Sequence, residues 1–285
     1  MRPAADVTIV VIAHSVRAEL ERCFASIREH AEIPVHTILV DNASTDDTRE
    51  WVRRAYPEVT LIELPENVAN AAREHGLRRA DSPYTMFLDS DAALTPGALP
   101  AMVGALEEHP GWGLIGPRLV HDDGSLQRSC RRFPPLLLPL LRRPPLGRFF
   151  EGGRTVQRHL MADFDYDHVR PVLYVIGACQ LFRTSLARIA GPFDQRVFRS
   201  GAWHDADWCL RIRDAGGEVV YFPAATVIHT YRRASTKQPL SMKAWHQLRA
   251  FFYFQRKYAR RRRELIRLGN ELDAAAATGA SRCAR

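Results

Sequence analysis

The chain lacks the signatures of the commonest nucleotide-using folds. No GxGxxG follows its first strand-like run, which argues against a dinucleotide dehydrogenase, and no GxxxxGK[ST] exists, which disfavours P-loop phosphoryl transfer. GxSxG and HExxH are missing as well. Cysteine is scarce: five residues, an odd number, scattered and without a CxxC, so neither a disulfide framework nor a zinc ribbon is expected. No run approaches the roughly 18 apolar residues of a membrane span. The apolar run Val7–Ala13 ends at His14 with no cleavage site after it, so no signal peptide is expected and the cytoplasm is the expected compartment. With 18 prolines and 17 glycines in 285 residues, a low-complexity or collagen-like chain is excluded. The remaining composition, 46% hydrophobic and 25% charged, is that of an ordinary globular protein large enough for a substantial core.

Acids are missing locally rather than globally. Between Arg232 and Arg267 twelve Lys/Arg face one acid, Glu264, and between Ser125 and Phe150 six arginines face none. The formal charge of the whole chain is only +8, so an acidic body carries a basic loop and a basic tail. Such segments suit phosphates or anionic lipid surfaces, or serve as a solvated face that keeps the protein soluble. No recognised nucleic-acid motif accompanies the Arg260–Arg263 run, and no nucleic-acid partner is expected.

What is present is an alternation of buried strands and amphipathic helices. Val7–Ala13, Thr37–Val40, Val59–Leu64 and Tyr84–Leu88 are continuous β-rich runs. Between them Leu20, Cys23, Phe24 and Ile27 recur at helical spacing, a capped turn at residues 42–48 opens a helix through Trp51 and Val52, and Asn67–Ala80 reads as a helix. This alternation predicts a mainly parallel sheet covered on both faces, with chemistry at the carboxyl ends of the strands, where Asp41 and Asp89 fall. A helix to His109, a strand Gly113–Gly116 and a hairpin turn at Asp122-Asp123-Gly124 follow. Phe133–Pro145 holds five prolines among leucines and reads as an irregular excursion, either a membrane-surface contact or a lid, or packed irregular core. Order resumes with a strand from Val172 that continues to Phe182, a helix Thr184–Ala190, a helix Trp203–Ala215, and two strands, Glu218–Phe222 and Thr226–His229. Met242–Leu272 reads as one long basic amphipathic helix, and the last dozen residues are expected to fray.

Three groups of residues suit catalysis. Asp89-Ser90-Asp91 puts two carboxylates, one residue apart, at the end of a buried strand, where both reach a single hard cation such as Mg²⁺ or Mn²⁺ that substrate phosphates complete. His204-Asp205-Ala206-Asp207 lies between Trp203 and Trp208 at a helix start: acids there cap the helix, and an acid beside aromatic faces also suits a carboxylate that accepts a proton from an attacking hydroxyl, with a ring to stack on a sugar or base. His229 ends a strand and is chemically reasonable as a third ligand to a metal held by Asp91.

In this order, with Val40-Asp41-Asn-Ala-Ser44, Asn67–Gly76, Gly177-Ala-Cys179, Phe193-Asp194 and Ile228-His229, the chain resembles the family 2 glycosyltransferases, and within them the rhamnosyltransferase-like branch. The likeness runs from about Val7 to Tyr258. It implies an α/β GT-A nucleotide-diphospho-sugar transferase fold, a mixed, mainly parallel sheet flanked by helices, here with the basic C-terminal helix added. It implies a donor site drawn from Ala13, Asp41, Ser44, Asn67, Arg73, Asp89 and Ser90, with Asp91 and His229 on Mg²⁺ or Mn²⁺. Asp205 becomes the general base of an inverting displacement, Gly177, Ala178, Trp203, Asp207 and Trp208 the acceptor side, and Arg232 and Arg233 partners of the diphosphate. The chain departs from the family pattern at His14-Ser15, at Ala69 in place of a glycine, at His204 in place of a glutamate, and in lacking a glycine after His229.

The expected division is a nucleotide-sugar half (1–112), an acceptor half (113–230), a basic helical extension (231–273) and a disordered tail (274–285). The donor expected from the resemblance is a dTDP- or UDP-sugar, dTDP-rhamnose first. The acceptor expected is a cell-surface glycan or lipid-linked saccharide at the inner face of the cell membrane, because the proline–leucine loop and the basic aromatic helix both suit an anionic membrane surface, or a small molecule such as a natural-product aglycone or aminosugar. A homodimer is left open. Two rivals stand beside this reading: a sugar-phosphate nucleotidyltransferase, which usually needs a Gly/Arg-rich loop where His14-Ser15-Val16-Arg17 stands, and a degenerate module that binds without turnover.

Overall fold

The computed structural model describes residues 6–141, 152–199, 202–230 and 242–277. The first half alternates β1 (Val7–Ala13), α1 (Arg17–His30), β2 (Val35–Asp41), α2 (Thr48–Ala55), β3 (Thr60–Glu63), α3 (Arg73–Leu77), β4 (Tyr84–Asp89), β5 (Ala92–Leu94) and α4 (Ala98–Glu108). Then come β6 (Trp112–Val120), β7 (Leu126–Gln127), β8 (Cys130–Arg131), the short α5 (Leu138–Leu141) and α6 (Arg154–His159). The second half holds β9 (Arg170–Pro171), β10 (Tyr174–Val175), β11 (Cys179–Arg183), α7 (Thr184–Ala190), α8 (Gln195–Phe198), α9 (His204–Asp214), β12 (Glu218–His229), α10 (Met242–Lys257) and α11 (Arg262–Ala277).

One sheet runs in the order β3-β2-β1-β4-β11-β6-β12-β5, with β7 beside β6 and β9 beside β12, and β8 pairs β10 in a separate ribbon. β1, β2, β3 and β4 are parallel, as the alternation of strand and helix requires, while β11 enters antiparallel between β4 and β6. Residues of β1 alternate between two cores: Val7, Ile9 and Val11 pack with Leu20, Phe24 and Leu99, and Val10 packs with Ala71, Ala72 and Phe182. Each such side chain removed from water contributes about 1.5–3 kcal/mol, so a strand buried on both faces anchors both layers. α3 lies so close to β1 that a Cβ on Gly76 would stand 2.4 Å from Val10 Cγ1.

The fold differs from the sequence expectations in five places. Asn67–Ala80 is not one helix: a 3₁₀ turn, Ala69–Ala72, precedes α3, and Ala69 sits at φ +51°. Val172–Phe182 is two strands, β10 and β11, because Gly177-Ala178 turns out between them and its carbonyls are taken by Arg73 and by the Asp89 amide. Glu218–Phe222 and Thr226–His229 form a single strand, kept continuous through an irregularity around Pro223, which cannot donate to the ladder. The basic helix breaks at a 3₁₀ turn, Ala259–Arg261, between anchors on each side: Tyr258 on Asp207, and Arg261 on Asp214. α11 then packs back on the body, where Arg132 donates to Asp273 at 2.5 Å, and it stays helical to Ala277 instead of fraying at residue 274.

The proline-rich excursion is part core and part surface. Phe133 stacks on Phe254 of α10 and Leu138 is buried, whereas Leu136 and Leu137 are exposed. Residues 142–151, with the rest of that excursion, lie outside the described residues.

Candidate active site

Parallel register aligns the strand ends. Ala13 pairs with Asp41, and Ile12 with Asp89, so both acids stand on the carboxyl edge of the sheet. β12 reaches the same edge by pairing with β5, which puts His229 opposite Ala92, the residue after Asp91. One ligand atom from each of Asp89, Asp91 and His229 lies within 4.8 Å of the others. His229 Nδ1 donates to Gln127 Oε1 at 2.7 Å, and Nε2 faces Asp91 Oδ1 at 3.3 Å. Two hard carboxylates and an imidazole nitrogen turned toward them form a donor set suited to Mg²⁺ or Mn²⁺. Burial works against charge on His229, but the Asp91 hydrogen bond and the Asp89 carboxylate outweigh it and its pKa is raised. Burial pushes the Asp89 carboxyl up, with Arg73 opposing and Asp91 reinforcing.

Arg73, only 2% exposed, forms the centre of the cleft. Its Nη2 donates to Asp89 Oδ1 at 2.5 Å and to the Gly177 carbonyl at 2.9 Å, and its guanidinium lies 5.1 Å from the centre of the Phe87 ring. Through it strand β4 is tied to the Gly177-Ala178 turn. A Cβ on Gly177 would approach Arg73 Nη1 to 3.0 Å, His204 Nε2 to 3.1 Å and Asp205 Cβ to 3.6 Å, so this glycine is the point where those three side chains converge.

Asp205 and His204 open α9. Trp203, at the N-cap in a left-handed conformation (φ +63°), turns the chain so that the helix begins at the cleft. Asp205 Oδ1 accepts from the Ala206 amide at 2.8 Å. Burial raises the Asp205 pKa, with that amide, Arg131 and Arg73 acting against the rise. His204 Nδ1 accepts from Asn70 Nδ2 at 3.1 Å, which puts the ring proton of the neutral imidazole on Nε2. Burial and the nearby Arg73 cation hold its pKa well below the usual histidine value.

At the other end of the cleft Asp41 is fully buried. Its Oδ2 accepts from Arg49 Nε at 2.6 Å and from the Ser44 amide at 3.2 Å, and its Oδ1 has no hydrogen-bond partner. Ser44 Oγ accepts from the Ser15 amide at 2.9 Å, and Ala13 lies beside Asp41. Asn67 is exposed, its Oδ1 accepting from Asn42 and from the Ala69 amide, and Ser90 is half-buried between the two acids.

Two expected acceptor residues lie elsewhere. Asp207 is fully buried and accepts from Lys257 Nζ at 2.5 Å and Tyr258 OH at 3.0 Å, so it bolts α9 to the end of α10. Trp208 is 1% exposed within a cluster of Phe87, Phe182 and Phe193. Both are taken up by tertiary packing: Asp207 by the Lys257 and Tyr258 end of α10, and Trp208 by the aromatic cluster beneath α9. Trp203 stacks on Phe254, and its ring lies 5.1 Å from that of Phe251. Arg232 and Arg233 lie outside the described residues.

Sequence reading passed over Asn42, Gln127, Asn70 and Lys257. Asn42 donates to Asn67 Oδ1 and the Ala69 carbonyl and accepts from the Val68 amide, holding the 67–69 turn against the end of β2. The other three act on partners 102, 134 and 50 residues away, at separations that no local pattern reports.

The family model "Glycosyl transferase family 2" matches residues 8–186, and the chain belongs to that family. It is 27% identical over 263 residues, 88% of this chain and 84% of the other, to an N-acetylglucosaminyl-diphospho-decaprenol L-rhamnosyltransferase of Mycobacterium tuberculosis, which places it with the rhamnosyltransferase-like branch. A pre-mycofactocin glycosyltransferase of the same species is 26% identical over 259 residues, 87% of this chain and 46% of that one. Among solved structures, Staphylococcus aureus TarS matches with a TM-score of 0.59 at 13% identity over 79% of this chain, which spans 37% of TarS. A Pyrobaculum calidifontis mannosyltransferase, solved with GDP-Man and Mn²⁺, matches with a TM-score of 0.57 at 20% identity, covering 90% of this chain and 65% of that one. The fold is GT-A, and the protein is a glycosyltransferase that uses a nucleotide-sugar donor. No helix among the described residues is long and apolar enough to cross a membrane.

Proposed function

We propose that the protein transfers a sugar, with inversion, from a dTDP- or UDP-sugar to a hydroxyl of a lipid-linked saccharide, with dTDP-rhamnose as the first donor to try. The observation that carries the reading is one juxtaposition: Arg73 and Gly177 stand between the Asp89–Asp91–His229 cluster on one side and Asp205 on the other. A transfer needs charge neutralisation at the leaving diphosphate and a base at the acceptor, a few ångströms apart. The similarity to a rhamnosyltransferase named for a decaprenol-linked substrate supports the donor and acceptor classes.

In this reading the buried Asp41 Oδ1, still without a hydrogen-bond partner, accepts an N–H of the pyrimidine base, and Ala13, Ser44 and Asn67 line the nucleoside. Asp89, Ser90 and Arg73 lie along the ribose and diphosphate. Asp91 and His229 would hold Mg²⁺ or Mn²⁺, which would supply positive charge beside the diphosphate. Gly177 and Ala178 lie on the acceptor side beside Asp205. The Asp205 carboxylate takes the proton of the acceptor hydroxyl as its oxygen bonds to C1 and the C1–O bond to the diphosphate breaks on the opposite face. One displacement with one base inverts the anomeric carbon. Residues 1–112 then form the donor half and 113–230 the acceptor half.

Calorimetric titration of UDP and dTDP, with and without Mn²⁺, on wild type and Asp91→Ala tests the site. Binding that depends on metal and is lost in the variant supports it. Tight binding indifferent to both removes the metal assignment, and no binding of either nucleotide removes the donor class.

A further inference from the structure

The outer face of α10 is a stripe that the donor and acceptor chemistry does not use. Ala250, Phe251, Phe254, Gln255 and Tyr258 are buried, as the inward face of a packed helix should be. Trp245, Arg249, Phe252 and Arg256 follow at spacings of four, three and four, and all are exposed, with Trp245 and Phe252 each 55% accessible. An aromatic and an arginine alternate along one face of an otherwise well-packed helix. From residue 242 to residue 263 the sequence holds no acid, and among the described residues neither Arg249 nor Arg256 has a carboxylate partner. Beside this helix the chain offers two further exposed apolar side chains, Leu136 and Leu137, 45% and 61% accessible. That turn is fixed to α10 from below, by Gln255 Nε2 donating to the Pro134 carbonyl at 2.8 Å and by Phe133 stacked on Phe254.

We infer that this stripe, with Leu136 and Leu137, seats the protein on the surface of an anionic lipid bilayer. Charge selects the occupant: guanidinium groups with no carboxylate partner among the described residues complement phosphate headgroups, while indole and phenyl rings suit the boundary between headgroup and acyl chain. Lipid phosphates pair with Arg249 and Arg256, and Trp245, Phe252 and the leucine pair enter the interface. α10 is coupled to the cleft by Lys257 and Tyr258 on Asp207, two residues after Asp205, so a docked helix holds the cleft at a fixed distance from the bilayer. The inference extends the lipid-linked acceptor reading given above, but its evidence is the surface of α10 alone.

The test is co-sedimentation of the full chain with phosphatidylcholine vesicles, with and without phosphatidylglycerol. Wild type should sediment with the anionic vesicles only, and less at high salt. Each arginine near the surface contributes about fivefold in partitioning, so Arg249→Gln with Arg256→Gln should lower it about twenty-five-fold. Trp245→Ser with Phe252→Ser should lower it by at least about tenfold. Of the five tryptophans only Trp245 is exposed, so brominated lipids should quench wild-type emission and spare Trp245→Phe. These positions are on the surface, and UDP or dTDP binding should be unchanged in every variant. Wild type that ignores anionic vesicles overturns the inference, as do variants that bind them equally well. A concentration-dependent dimer dissociated by the same substitutions also overturns it, by assigning the stripe to a second copy. Vesicle binding is read without nucleotide and nucleotide binding without vesicles, so failure of one leaves the other standing.

Discussion

His229 Nδ1 donates to Gln127 Oε1 at 2.7 Å, and this hydrogen bond settles which nitrogen of the imidazole faces Asp89 and Asp91. Gln127 is buried on the short strand β7, so the orientation is built in before any ion arrives. Outer partners of this kind typically govern 10–100-fold in metal affinity. Gln127→Leu should therefore weaken Mn²⁺-dependent nucleotide binding by about 10–100-fold while metal-free binding stays the same. Calorimetry at several Mn²⁺ concentrations reads the difference, and an unchanged Mn²⁺ requirement would show that the ring needs no such support.

The pH profile should report Asp205. A general base works when deprotonated, so activity is present above its pKa and is lost as pH falls through it. Burial raises that pKa, and the acid limb of kcat should lie above the ordinary carboxylate range. His204, held neutral by burial and by Arg73, contributes no limb near the usual histidine pKa. Asp205→Asn should lower kcat by about 10²–10⁴-fold and leave nucleotide binding in place. A limb in the ordinary carboxylate range in the wild type would contradict the assignment.

Ala69 occupies a left-handed position, φ +51°, at which an L-residue with a Cβ costs roughly 1–2 kcal/mol. The turn is held there by Asn42 and Asn67 in spite of that cost. Glycine removes the clash but adds freedom to the unfolded chain, so Ala69→Gly should raise stability by about 0.5–1 kcal/mol. Urea unfolding measures this directly, and a destabilised variant would mean that the Ala69 methyl makes a contact worth more than the strain.

Gly177→Ala would place a methyl 3.0 Å from Arg73 Nη1 and 3.1 Å from His204 Nε2. Both groups must yield, and Arg73 is tied to Asp89. Displacement by a fraction of an ångström in such a site costs up to about a hundredfold in kcat/KM. Steady-state kinetics beside a melting curve separates this from simple unfolding, and full activity would mean that Arg73 is free to adjust.

Lys257 neutralises Asp207, whose side chain is wholly buried. Lys257→Met leaves that carboxylate with Tyr258 and, at 4.0 Å, Arg211, and should cost about 3 kcal/mol, the low end for a severed buried pair. Asp207→Asn in the same chain should recover part of the loss. Thermal unfolding of the single and double variants tests the coupling, and additive effects would deny it.

Much of the site could be read from the sequence because its acids fall at strand ends. Asp41 and Asp89 each close an apolar β-rich run, and in a parallel sheet such ends lie on one edge by geometry alone. Asp207 and Trp208 could not be sorted in the same way. Their neighbourhood to Asp205 in the chain says nothing about which face of α9 meets the cleft, and the packing of α10 against α9 decides it. The break at Ala259–Arg261 was invisible for a similar reason, since a helical apolar pattern passes through it and only the anchors at Asp207 and Asp214 interrupt the helix.

The sequence by itself determined the order of strands and helices, the mainly parallel sheet, the family, and the acids at the strand ends, because apolar periodicity and short local motifs carry that information. Tertiary structure alone decided the tautomer of His229, the part Arg73 and Gly177 play in joining the two sides of the cleft, and the inward turn of Asp207. Each of these depends on groups tens to more than a hundred residues apart, brought together by burial and hydrogen bonding once the sheet has closed.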